Sequence, residues 1–322
     1  MTQGSLGSNL WGPPPQSVAE DFDVFSKKYP AEEFRRIAEL IASDEANKPV
    51  GPTKLSETIL EKVRNGSPAS FIRVSDGEGN LLGLDPKFGV PEELAMWCAE
   101  RISYIHFGEH SVVREAKDFF RDMMRDAILQ CDIFGVPELH RIDEMFKVPE
   151  PDVDVRAVTG NRLGALLCEE YVKDPAYRGK NIASAWFNRQ LLPHYAEIIG
   201  SAESVITVST YDSLPEKLSS AFGIERSRID WIGVPTQAVF VPTKERQDTR
   251  HYPDGMERIL TEIRSLNRQS LVLVAAGLLG KHYCTVAKEC GHIAIDIGSI
   301  PEIWLGIEAR GLSPDYIERW KL

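Results

Sequence analysis

Several familiar signatures are missing from this chain. Its five cysteines (Cys98, Cys131, Cys168, Cys284 and Cys290) are scattered and odd in number, and no Cys-x-x-Cys pair occurs. That spacing predicts buried reduced thiols in a cytosolic protein rather than a disulfide framework. No apolar run approaches the roughly 18 residues of a membrane span, and no secretory signal is predicted. The expected location is the cytoplasm, with peripheral attachment to the inner membrane left open. Cation is scarce: 37 Lys and Arg stand against 48 Asp and Glu, a formal net charge of -11. A general nucleic-acid binder is therefore excluded, since there is no excess of positive charge for phosphates. A nucleotide site is still allowed, because a metal ion and backbone N–H groups can build one. His-Glu-x-x-His, Gly-x-Ser-x-Gly, a Ser-His-Asp order and Gly-x-Gly-x-x-Gly are all absent, which disfavours the corresponding hydrolases and dinucleotide enzymes.

What is present is a chain of 322 residues, 43% hydrophobic, long enough for one large or two modest domains. Residues 1–17 are rich in Gly, Ser and Pro and read as a flexible tail. Residues 18–322 read as a single α/β domain with an N-terminal helical extension. Apolar spacing predicts helices over 22–43, 54–64, 91–105, 112–129, 158–172 and 188–199. His106 and His110 lie four apart, but Gly108 between them spoils a helical metal pair. From residue 204 onward the pattern is regular. Apolar runs at 204–208, 228–234, 270–275 and 293–297 alternate with helical segments at 214–222, 253–266 and 281–290. Such alternation predicts a Rossmann-like, mostly parallel sheet with helices on both faces.

Three turns attract attention, because ligands of open parallel sheets bind beyond the carboxyl ends of the strands. The first follows the apolar run Phe71-Ile72 and Val74. There the chain breaks into Ser75-Asp76-Gly77-Glu78-Gly79-Asn80, with Arg73 just upstream. Two acids one residue apart at a strand end supply hard oxygen ligands for Mg²⁺ or Mn²⁺, which can grip a diphosphate. The same residues also suit an ordinary Asp-Gly turn with Glu78 in solvent. The second turn runs from Ala276 to Lys281 and joins a strand to a helix. Gly277 and Gly280 with Lys281 suit a phosphate cradle, although close helix–strand packing explains the glycines equally well. It is not a P-loop, since Ala275 and His282 occupy positions that fingerprint reserves for other residues. The third turn is Asp296-Ile297-Gly298-Ser299, where an acid ends a buried strand. Elsewhere, Trp186, Asn188 and Arg189 suit a wall that stacks on and hydrogen-bonds a sugar. His251 and His282 are the histidines best placed for acid–base work.

Taken together, the segments 71–78, 271–281 and 292–299 resemble the GT-D type glycosyltransferases. The first matches that family's Arg-Phe-Gly-Asp-Gly-Glu strand and turn. The other two match its closing Gly-rich turn and its strand ending in Asp-Ile-Gly-His. The resemblance spans roughly residues 55–305. Ser75 stands in place of the family's Gly and Ser299 in place of its His, and the family's middle segment has no counterpart here. The resemblance implies a Rossmann-like enzyme that transfers a sugar from a nucleotide sugar, a UDP-sugar first, to a glycan or glycoconjugate acceptor. It implies Asp76 and Glu78 as ligands of Mn²⁺ or Mg²⁺, with Arg73, Ser75 and Gly77 supporting the donor. Gly277, Gly280, Lys281 and Ser299 would lie near the donor phosphates and Asp296 near the reacting centre. Asp296 or Glu302 would activate the acceptor hydroxyl or merely position it; Ser299 cannot replace a histidine as general base. A homo-oligomer is compatible with this reading. The rival expectation is a nucleotide or nucleotide-sugar binding protein of the same fold without transfer activity.

Overall fold

The computed structural model describes residues 13–147, 153–236, 250–307 and 312–322. It contains a seven-stranded parallel sheet of order β3-β2-β1-β7-β6-β4-β5. The strands are β1 (Ala69–Arg73), β2 (Ile133–Val136), β3 (Asn181–Ser184), β4 (Val205–Ser209), β5 (Ile229–Gly233), β6 (Leu271–Val274) and β7 (Ile293–Asp296). The expected Rossmann-like α/β architecture is therefore present. Chain contacts divide the protein into two interleaved units, one of residues 1–50, 73–129 and 134–185, the other of 51–72, 130–133 and 186–322.

In the second unit, Phe71 of β1 lies opposite Ile295 of β7, and Val274 of β6 lies opposite Asp296. Thr207 of β4 sits between Leu273 of β6 and Trp231 of β5. The central strands β6 and β7 are buried at every residue. Apolar side chains on both faces are what a doubly covered sheet requires. Helix boundaries follow local chemistry. The Pro52–Asn65 helix opens with proline and closes on Gly66 at φ 61°. The Leu214–Phe222 helix closes on Gly223 at φ 65° in the same way.

Several boundaries differ from the sequence expectation. The segment 22–43 forms two helices, Gln16–Lys28 and Ala31–Ala42. Pro30 forces Tyr29 out of helical geometry and separates them. The first of these helices starts at Gln16, inside the stretch expected to be tail, while residues 1–12 lie outside the described set. The 112–129 helix is interrupted at Ala116, giving Ser111–Glu115 and Lys117–Gln130. The 188–199 helix is broken into short pieces ending in Tyr195–Ser201. Strand β3 was not expected, because only Ile182 and Ala183 of its four residues are buried. The polar loop expected over 235–251 and the connector over 147–155 fall largely outside the described residues.

The Ser75–Asn80 segment differs most. It is not a free turn but the start of a helix, Asp76–Leu82, with Ser75 as its N-cap.

Candidate functional site

In the first unit the chain leaves β1 through Val74, whose N–H donates to Gly135 O at 2.7 Å. Ser75 then adopts an extended conformation and begins the helix through a capping box with Glu78. The Ser75 N–H donates to Glu78 Oε2 at 3.1 Å, and the Ser75 hydroxyl meets the same oxygen. Glu78 is only 6% exposed. Its carboxylate thus satisfies backbone and hydroxyl donors at its own helix start.

Asp76, two residues earlier, is turned to a different partner. Its Oδ2 accepts from Arg156 Nη1 at 2.6 Å, and its side chain remains 37% exposed. Arg156 also lies 3.5 Å from Asp154 Oδ2. Burial opposes the charge on Arg156, but Asp76 and Asp154 outweigh it and hold the guanidinium above its ordinary range. Asp154 is the N-cap of the Val155–Lys173 helix and accepts from Ala157 N at 3.1 Å.

That long helix approaches the Asp76–Leu82 helix at glycines on both sides. A Cβ on Gly79 would lie 1.9 Å from Gly160 O, and a Cβ on Gly160 would lie 1.9 Å from Asp76 O. Asn80 Nδ2 donates to Asp76 O at 2.8 Å. Gly79 is therefore required by a backbone-to-backbone approach rather than by a turn. A Cβ on Gly77 would meet only Ile102, at 3.6 Å. Behind the site, burial pushes the Cys98 thiol up to about 12, although the charges of Arg156 and Arg101 pull the other way. Arg101 stacks on Trp97 with its guanidinium carbon 4.1 Å from the ring centroid. Arg73 is half-buried, and its Nη1 lies 3.5 Å from Ala185 O.

Among the described residues, no group of three His, Cys, Asp or Glu side chains is arranged to hold a metal ion. Magnesium commonly takes one or two carboxylates and completes its shell with water and substrate phosphate. Asp76 fits that role through a partly exposed hard oxygen. Glu78 fits it only by leaving the capping box.

The second unit holds the other two turns. Gly277 has φ 57°, which favours glycine. A Cβ on Gly280 would press on Val274 at 3.2 Å, so this glycine answers to helix–strand packing. Lys281 is 1% exposed and its Nζ lies 2.9 Å from Asp296 Oδ2 and 3.3 Å from Gly277 O. Asp296 is 2% exposed, and its Oδ1 accepts from Gly298 N at 3.1 Å. Lys281 and Asp296 are thus brought together, but as a buried ion pair. Asn188 Nδ2 donates to Ile297 O at 2.9 Å and ties the turn after β7. Arg189 lies over Trp186 at 4.4 Å. Ser299 is the 7% exposed N-cap of the Ile300–Trp304 helix, on which Glu302 is half-buried. His251 is buried against the Tyr283 hydroxyl at 2.8 Å, and burial drives its pKa down to about 3. It is neutral at pH 7.

Sequence reasoning missed Arg156, Asp154 and Gly160. An N-cap signal was available in Asp154, which precedes an apolar periodic run. No local signal links Arg156 to an acid 80 residues earlier. Comparison of this chain with family models, with curated proteins and with solved structures finds no match.

Proposed function

We propose that this protein is a metal-dependent glycosyltransferase, moving a sugar from a nucleotide-sugar donor to a glycan or glycoconjugate acceptor. The observation that carries the reading is the part-exposed Asp76 carboxylate just past the carboxyl end of a parallel strand, fixed by half-buried Arg156. Open parallel sheets receive their ligands at such ends. Asp76, with Glu78 if the capping box opens, would hold Mn²⁺ or Mg²⁺. When bound, the ion offsets charge on the leaving diphosphate. Arg156 restricts the Asp76 rotamer, and Arg73 adds positive charge at the strand end. Asp296 and Glu302 are the two acids proposed to activate or position the acceptor hydroxyl; Glu302 is half-buried and Asp296 is paired with Lys281. Gly277, Gly280, Lys281 and Ser299 are proposed to shape the donor-side turns.

A second reading is favoured by the engagement of Glu78 in the box and of Asp296 in the ion pair. In that reading the protein binds a nucleotide or nucleotide sugar without transfer.

Turnover of a nucleotide-sugar panel, with and without Mn²⁺, separates the two. The transferase reading expects Mn²⁺-dependent turnover that Asp76→Asn abolishes with the circular dichroism spectrum intact. Glu78→Gln then sorts the acids. Loss of turnover assigns Glu78 to the metal, whereas unchanged turnover with a stability loss of about 1 kcal/mol confines it to the cap. A rise in melting temperature with UDP and Mn²⁺ but no turnover of any donor supports the second reading. Stabilisation by NAD or S-adenosylmethionine instead of UDP overturns both.

A further inference from the structure

Strand β5 forms one edge of the sheet and carries Trp231 at its centre. The indole is 41% exposed. It is nevertheless held rigidly. Its Nε1 donates to Ser209 O at 2.9 Å, the same carbonyl that accepts Val234 N at 3.0 Å. Its six-membered ring lies over Gly233, where a Cβ would come within 3.0 Å of two ring carbons. One face of the ring is thus backed by glycine backbone, and the polar N–H is already used. Ser209 and Gly233 are the last residues of β4 and β5, so the plate stands near the carboxyl end of these strands, the end where such sheets bind ligands. Just beyond these strand ends the Thr210 and Thr236 hydroxyls are paired at 2.6 Å. Arg258, which donates to Gly233 O, is also bound to Glu262.

We propose that Trp231 is a stacking plate for a pyranose ring of a neutral glycan. A pre-oriented ring that is 41% exposed suits the C–H face of a sugar, and the Thr210 and Thr236 hydroxyls just beyond the ends of β4 and β5 suit its OH groups. A protein partner would need a broader apolar centre, since specific interfaces bury about 800 Å² per partner. The only other exposed large hydrophobic side chains among the described residues are Val24 and Ile307. A nucleotide would be expected to bring its phosphates to uncommitted cations, and among the described residues Arg258 at Gly233 is engaged by Glu262 and Arg268 by Asp230. As an acceptor subsite, the plate rests on the transferase reading; as a glycan-binding plate it does not.

Native affinity electrophoresis through gels containing dextran, mixed-linkage β-glucan or galactomannan tests this without donor or metal. The expected result is retardation by at least one polysaccharide. Trp231→Ala should weaken it about fivefold or more, while Trp231→Phe keeps part of it. The side chain is exposed, and an unchanged melting temperature confirms that the variants fold. Retardation by none of the three overturns the proposal, as does equal retardation of the alanine variant. So does a result in which UMP, but no glycan, perturbs the Trp231 indole signal. Retardation without turnover of any donor removes only the transferase reading, and turnover without retardation removes only the plate.

Discussion

Two ion pairs stand at strand ends in this protein, and they differ in one respect that decides their use. Asp76 and Arg156 meet past the end of β1 with the acid 37% exposed, whereas Lys281 and Asp296 meet at the end of β7 with side chains 1% and 3% exposed. In the first, the acid keeps contact with solvent while Arg156 holds it. In the second, removal from water has been offset by mutual attraction and by a backbone N–H, and the pair is locked. An aspartate paired with a cation at a strand end is therefore a partly exposed carboxylate in one unit and an internal brace in the other.

The contrast is broken most forcefully at the brace. Asp296→Asn should cost about 3–5 kcal/mol, because the buried Lys281 ammonium loses its carboxylate. Urea unfolding measures this. The double variant Lys281→Met with Asp296→Leu should recover most of the loss. Should Asp76→Asn destabilise the protein as much as Asp296→Asn, the distinction between the two pairs fails.

A next, smaller effect is expected from the packing that sets Asp76 in place. Gly160→Ala should destabilise by about 2–3 kcal/mol, since its Cβ would collide with Asp76 O. The gain of about 1 kcal/mol in helix propensity is outweighed. Thermal denaturation reads the loss. An unchanged melting temperature would mean that the two helices do not approach so closely.

The smallest effect sharpens the role of burial in the second unit through pH. His251 has a folded pKa near 3 against an ordinary value of 6.5, so it stays neutral in the fold while the unfolded chain takes up a proton. Its stabilising contribution is complete above about pH 6.5 and is lost as pH falls towards 3. Between pH 7 and pH 5 the loss should be about 2 kcal/mol relative to His251→Gln. Parallel stability profiles for the two proteins would show that His251 is not shielded.

The alternation of strands and helices after residue 204 was legible because each element carries its own period and its own stop signal. Gly223 after the Leu214–Phe222 helix is an example, and Gly66 after the Pro52–Asn65 helix is another. Strand β3 was not legible, since Asn181 and Ser184 give it no apolar period. At the candidate site, the placement of Asp76 beyond a strand could be read from Phe71-Ile72 and Val74. The helical start could not, because Asp-Gly-Glu carries turn and N-terminal helix signals alike.

The sequence by itself determined where the strands other than β3 run, where glycines close the helices, and that the acids emerge at strand ends. These are local properties, encoded within a few residues of where they act. Only the tertiary structure decided which charge each acid meets. Arg156 reaches Asp76 from a helix 80 positions away, and β6 beside β7 brings Lys281 onto Asp296. An ion pair depends on distance and burial, and neither quantity is defined until the chain has folded back on itself.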